Sequence, residues 1–158
     1  MSSTLIGDSM NEKKVIDSFT IGAGYPFLSN FHPSTIWINK KSYTTVEHAY
    51  QAHKTLVESS HELIRNCKSP AEAKKLGRGV EMRPDWDQVK VDLMRSFLYL
   101  KFESPFLRDQ LKQTVGCQLV YGNTWNDRFW GVCRGTGLNW LGILLEEIRD
   151  EIVKDSDD

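Results

Sequence analysis

Hydrophobic and polar positions change their rhythm several times along this chain, and each change marks a predicted element. Residues 15–21 and 34–39 are rich in β-branched and aromatic side chains, which predicts strands, and the break at Asn39-Lys40-Lys41 turns the second toward Ser42, Tyr43 and Thr44. A small antiparallel sheet is expected there. Helical spacing follows, beginning with a short helix over 44–54. Ser59 with Glu62, and Ser69-Pro70 with Glu72, carry the capping pattern of two further starts, the latter running over 71–76 to a stop at Gly77. Over 86–103, Trp86, Val89, Leu93, Phe97 and Leu100 share one face, broadened by Met94 and Leu98, and Asp85 is placed to cap it; this predicts the main core helix. Ser104-Pro105 opens a helix toward Thr114 with a stop near Gly116, residues 117–121 read as a strand, and a final helix over 139–153 aligns Leu141, Leu144, Leu145, Ile148 and Ile152, with fraying expected from Asp155. Residues 1–14 lack periodicity and read as a flexible arm. The expected class is α+β: a compact, mostly helical single domain over 15–158 with a small antiparallel sheet.

Composition narrows the partners more than the fold. At 158 residues, with 40% hydrophobic and 26% charged side chains, the chain suits one soluble domain with a sizeable core. A net charge of -1 supplies no general attraction to nucleic acid, although a local basic groove is not excluded. Cys67, Cys117 and Cys133 are widely spaced without a C-x-x-C pair, so neither a disulfide framework nor a zinc site is indicated. His32, His48, His53 and His61 make no coherent ligand set with carboxylates, so no metal is expected. No apolar run approaches the roughly 20 residues that span a bilayer, and the start is Ser-rich rather than basic then apolar. A cytoplasmic protein without membrane contact is the expectation.

The helix over 44–54 concentrates the candidate chemistry. At about 100° per residue, Glu47, Gln51 and Lys54 fall within roughly 60° of one another, so one face offers a carboxylate, an amide and an amine. The bland alternative is that Thr44 and Glu47 form a capping box, with Glu47 only satisfying a backbone N–H. Two loop segments accompany it. Residues 22–31 mix glycines with Tyr25, Phe27, Asn30 and Phe31, suited to a flat ligand or to an irregular turn anchored by Phe27 and Phe31. Residues 122–131, followed by Gly135-Thr136-Gly137, are too irregular for a helix and too aromatic for a solvated linker. Arg78, after Gly77, is either a phosphate fork or a solvated surface group.

Five short motifs then occur in a telling order: Leu28-Ser29-Asn30-Phe31; Val46-Glu47-His48-Ala49-Tyr50-Gln51-Ala52-His53-Lys54; Leu76-Gly77-Arg78; Asn126-Asp127-Arg128-Phe129-Trp130-Gly131; and Gly137-Leu138-Asn139-Trp140-Leu141-Gly142. Over residues 15–153 the chain resembles the NADAR family, which includes YbiA-like proteins. The resemblance implies an N-glycosidase that cuts between ribose and an amine or base and needs no cofactor. Its substrates would be phosphorylated ribosylamino-pyrimidine intermediates of riboflavin synthesis or ADP-ribose attached to guanine, free or in nucleic acid. It matches Glu47 to the catalytic glutamate and Lys54 and Asp127 to polar site positions. His53-Lys54 stands where other members often carry Gln-Lys, which leaves the reactive positions intact.

Breaking a ribosyl C1–N bond builds positive charge on the sugar and electrons on nitrogen. Glu47 as acid/base, with Asp127 orienting water or ribose hydroxyls, would follow two-carboxylate logic. Lys54 has two readings: a Schiff-base nucleophile on the opened sugar, or a point charge on phosphate. Asn30, Phe31, Gln51, Arg78, Trp130, Gly131 and Asn139 are the expected substrate contacts, with Phe31 and Trp130 as stacking surfaces. The rival of a different class is a catalytically silent nucleotide-binding or ADP-ribose-binding module.

Overall fold

The structure, a computed structural model, describes residues 13–157. The expected arm over 1–14 lies outside these except for Lys13 and Lys14. Among the described residues there are six α-helices, α1 (Val46–Ala52), α2 (Glu58–Arg65), α3 (Pro70–Gly77), α4 (Trp86–Lys101), α5 (Pro105–Lys112) and α6 (Trp140–Asp157), and four short strands, β1 (Val15–Ile16), β2 (Ile36–Ile38), β3 (Lys41–Tyr43) and β4 (Gln118–Leu119). The mostly helical α+β class and the small antiparallel sheet agree with the sequence expectation. Backbone contacts divide the described residues into two units, residues 20–111 and residues 13–19 with 112–157.

In the unit over 20–111, β2 and β3 form an antiparallel pair, Ile36 opposite Tyr43 and Ile38 opposite Lys41, turned through Asn39 and Lys40 at positive φ. Helix α1 is the hub: it packs on α2, α3 and α4, and all of its residues are buried. Seven residues are too few to be stable alone, so this helix exists because its neighbours bury it. Helix α4 supplies Trp86, Met94, Phe97 and Leu98 to the core, with Lys101 buried beside them, whereas Val89, Leu93 and Leu100 of the expected stripe are only half-buried.

Sequence and structure differ at the ends of elements. Thr45, not Thr44, caps α1: its Oγ1 accepts the His48 backbone N–H at 3.1 Å, while Glu47 N–H goes to the Asn30 carbonyl at 3.1 Å. The Thr44–Glu47 capping box is therefore absent. The helix also stops at Ala52, and both the His53 backbone N–H, at 3.1 Å, and its side-chain Nδ1, at 2.7 Å, meet the Ala49 carbonyl. Ser59 does not start α2, whose N-cap position is Val57 without a side-chain bond. Ser69 does cap α3, accepting from Glu72 N–H at 3.1 Å, with Pro70 in the first turn. Asp85 precedes α4, yet its carboxylate binds Arg83 at 2.6 and 3.0 Å rather than capping. Residues 20–31 fold as two single 3₁₀ turns, Ile21–Ala23 and Pro26–Leu28, anchored by buried Phe27 and Leu28; Phe31 remains 38% exposed, so it is not a core anchor.

In the other unit β1 pairs with β4, and the pairing is parallel. This corrects the expectation that the first strand joins the antiparallel sheet. Residues 17–21 do not extend it; Phe19 instead stacks on Tyr121 at 5.7 Å. Helix α6 packs on β4, buries Leu141, Leu144, Leu145 and Ile148, and runs unbroken to Asp157, past the expected fraying point. Buried Arg149 ties it down, donating to the carbonyls of Thr114 at 3.0 Å and Cys117 at 2.7 Å.

Candidate active site

The polar face expected of the 44–54 helix is built differently from the sequence expectation. Glu47 is 8% and Gln51 3% exposed, one helical turn apart, and Gln51 Nε2 donates to Glu47 Oε2 at 2.7 Å. An i, i+4 amide–carboxylate pair on a surface helix contributes only a few tenths of a kcal/mol; buried, the same bond fixes the carboxylate in one orientation. Lys54 lies beyond the helix end. Its backbone N–H still reaches the Gln51 carbonyl at 3.3 Å, and its own carbonyl accepts Arg83 N–H at 2.7 Å. Its Nζ sits 5.4 Å from the centre of the Tyr50 ring.

Burial pushes the Lys54 amine below its ordinary value; the Glu47 charge opposes that shift, and Lys74, Arg78 and Lys90 reinforce it. The cations whose charge this amine feels are Lys74 on α3, Arg78 just past its end, and Lys90 on α4. A group of this sign pattern, one carboxylate beside several cations, suits a substrate that develops positive charge at one atom and carries phosphate at another. Sequence reasoning identified Arg78 but missed Lys74 and Lys90. Each looks like an ordinary solvated helix lysine, and only the packing of α3 and α4 on α1 brings them to Lys54.

Asn30 enters through its backbone, whose carbonyl receives Glu47 N–H. Its Nδ2 contacts Met94 Sδ at 3.6 Å, and its Oδ1 is buried without a hydrogen-bond partner, as is Gln51 Oε1. Buried unpaired acceptors are uncommon and costly. Lys101, which the sequence gave no reason to single out, holds the same turn: its Nζ donates to the Ser29 carbonyl at 2.9 Å, and burial alone lowers its pKa to about 7.

The remaining expected residues belong to the other unit. Asp127 Oδ1 accepts the backbone N–H groups of Phe129 at 3.2 Å and Trp130 at 2.9 Å, and its own N–H goes to Asn123 Oδ1 at 2.9 Å, so it shapes its loop as well as carrying charge. Trp130 is buried, edge-on to Phe129 at 4.8 Å. Gly131 is where the chain passes the Tyr121 carbonyl too closely for any Cβ, which would lie 2.1 Å from that oxygen. Asn139, at positive φ, uses both side-chain atoms on backbone: Oδ1 accepts Tyr121 N–H at 2.9 Å and Nδ2 donates to Leu119 O at 2.9 Å.

A pocket of about 370 Å³ opens elsewhere on the unit over 20–111, lined in part by Tyr43, His53, Thr55, His61 and Arg83; none of Glu47, Gln51 or Lys54 borders it. Among the described residues no three His, Cys, Asp or Glu side chains gather as metal ligands, and no helix is long and apolar enough to cross a membrane.

A buried Glu–Gln pair on a short hub helix, with a lysine of lowered pKa just past its end, within a mostly helical α+β fold, agrees with the motif order of one family. The NADAR domain model matches residues 18–153, and the chain belongs to the NADAR family. Among its relatives, N-glycosidase YbiA of Escherichia coli (strain K12) is 37% identical over 87% of this chain and 88% of its own length. N-glycosidase Npun_R5314 of Nostoc punctiforme is 38% identical over 81% of this chain and 86% of its own. The chloroplastic riboflavin biosynthesis protein PYRR of Zea mays is 34% identical over 90% of this chain, which corresponds to 26% of that longer protein. The NMR structure of E. coli YbiA superposes with a TM-score of 0.83, at 34% identity, covering 93% of this chain and 89% of that one.

Proposed function

We propose that this protein is an N-glycosidase, a hydrolase that cleaves the C1–N bond of a phosphorylated ribosylamino-pyrimidine of riboflavin synthesis or of an ADP-ribosyl-guanine adduct. The observation that carries the reading is the joined Glu47–Gln51 pair with Lys54 set among Lys74, Arg78 and Lys90. The names of the relatives support the reaction class, and the PYRR likeness supports the pyrimidine substrate.

In the proposed mechanism, ring opening of the N-linked ribose gives an imine at C1. The neutral Lys54 amine adds to C1, and the substrate amine departs with a proton delivered through Glu47. Water then adds to the lysine imine, releasing the sugar aldehyde and regenerating the amine. An amine can act this way only if part of it is unprotonated near neutral pH, and the lowered pKa of Lys54 moves it in that direction. Arg78, with Lys74 and Lys90, takes the phosphate charge, leaving Lys54 for chemistry. Asn30 offers its unpaired Oδ1 to a donor on the substrate and Phe31 offers an exposed ring face. Within their own unit, Trp130, Gly131 and Asn139 shape the loop that carries Asp127, the carboxylate proposed for water or ribose hydroxyls.

The test is to incubate purified protein separately with a ribosylamino-pyrimidine phosphate and with ADP-ribosyl-guanosine and to identify products by mass. Release of free amine or base from one of them is expected. Measurable binding without cleavage of either would instead favour the silent binding module.

A further inference from the structure

We propose that Gly77 is a positioning residue for the reaction, acting through Gln51 on the Glu47 carboxylate; the proposal rests on the N-glycosidase reading above. Gly77 is the last residue of α3, where the sequence suggests a glycine chosen to end a helix. The backbone does not need one there: Gly77 is not among the positive-φ glycines, and Arg78, which follows, is right-handed at φ -71 and ψ -23.

What the position does need is space. A Cβ on Gly77 would lie 1.9 Å from Gln51 Oε1, 2.7 Å from Cδ and 3.2 Å from Cβ of the same side chain. The three nearest atoms all belong to Gln51, so the missing side chain of residue 77 makes room first for the side chain of residue 51. That amide is 3% exposed, and its two ends are unequally placed. Nε2 donates to Glu47 Oε2 at 2.7 Å, whereas Oε1, on the Gly77 side, has no donor. Turning the amide over would set its oxygen against the carboxylate oxygen, so the arrangement has one favourable sense. Gly77 thus supplies a wall without bulk, Gln51 spans from that wall to Glu47, and the carboxylate is held by a donor that has nowhere else to go. Gln51 accordingly serves as the support of Glu47 rather than as a reader of the substrate's polar edge, and the Leu76-Gly77-Arg78 motif has a role for its glycine.

The experiment is a double-mutant cycle over Gly77→Ala and Gln51→Ala, with melting temperature, kcat and KM measured on each preparation using whichever of the two substrates the unmodified protein cleaves. Gly77→Ala must displace the amide, so kcat is expected to fall about 100-fold, as for a small misplacement of a catalytic group, with little change in KM. Gln51→Ala should lower kcat similarly. In the double variant the added methyl occupies the room left by the lost amide, so melting should recover relative to Gly77→Ala while kcat stays low, with no further loss from the alanine at 77. A structural role alone predicts that recovered stability brings recovered turnover, and that result would overturn the proposal. So would an equal loss of kcat from Gly77→Ala in both backgrounds, or full activity in Gln51→Ala. Failure of the unmodified protein to cleave either substrate would defeat the functional reading itself, and the positioning role with it; that outcome is distinguishable because it appears before any substitution is made.

Discussion

At the scale of single residues, the decisive facts concern Glu47 and Lys54. Thr45, rather than Thr44, caps α1, and the Glu47 backbone N–H goes to the Asn30 carbonyl, so the helix start does not rest on a Thr44–Glu47 pair. Glu47→Gln is therefore expected to abolish turnover while melting and ligand affinity change little; a stability loss with turnover retained would refute the catalytic role. For Lys54, borohydride added during turnover should trap a sugar on the peptide bearing that residue. Lys54→Arg should be inactive, since a guanidinium keeps the charge but forms no imine under these conditions. Substantial activity in that variant, with no adduct in the unmodified protein, would leave Lys54 as a phosphate contact. Asp127→Asn retains an Oδ1 that can accept the two loop N–H groups, so the loop should persist and turnover should fall if the charge is used in chemistry. Melting and product release measured together separate these effects.

At the scale of elements, caps that look alike in sequence differ in consequence. Thr45→Ala should destabilise the protein by about 1 kcal/mol, and by up to about 2, because it removes a real bond to the first turn of a buried helix. Ser69→Ala should cost a comparable amount. Ser59→Ala should cost little as a cap, since no side chain caps α2. Denaturant midpoints of the three variants check the order. The reason for the difference is register: a capping pattern can be satisfied one residue earlier or later, and which residue wins depends on where the helix is packed. Helix α1 ends at Ala52, so Lys54 stands beyond its end rather than on the face drawn for a helix over 44–54.

At the scale of the molecule, buried Lys101 makes stability depend on pH in a definite sense. Its pKa in the folded protein is about 7, against an ordinary 10.5. Between those values the unfolded chain holds the proton and the folded protein does not, so stability from this group rises with pH across that window, at most about 1.4 kcal/mol per pH unit. Below pH about 7 both states are charged and the full cost of burying the cation is present. Lys101→Met should consequently flatten the rise in melting temperature between pH 7 and 10 relative to the unmodified protein. An unchanged slope would show that the amine is charged inside the fold throughout.

The sequence by itself determined the elements whose signal is local. Periodicity located α4 and α6, the Ser69-Pro70 pair started α3, and the Asn39-Lys40 break turned β2 into β3, because each depends on neighbours within a few residues. The ordered motifs likewise marked the family. Tertiary structure decided what local signals do not carry. The parallel pairing of Val15–Ile16 with Gln118–Leu119 joins segments about a hundred residues apart, and short strands do not encode their partners. The burial of α1, whose polar positions would suit a solvated face, follows from the three helices packed on it. The gathering of Lys74, Arg78 and Lys90 about Lys54, the burial of Lys101, and the fit of Gln51 against Gly77 are properties of distance in space, and only the packed chain sets those distances.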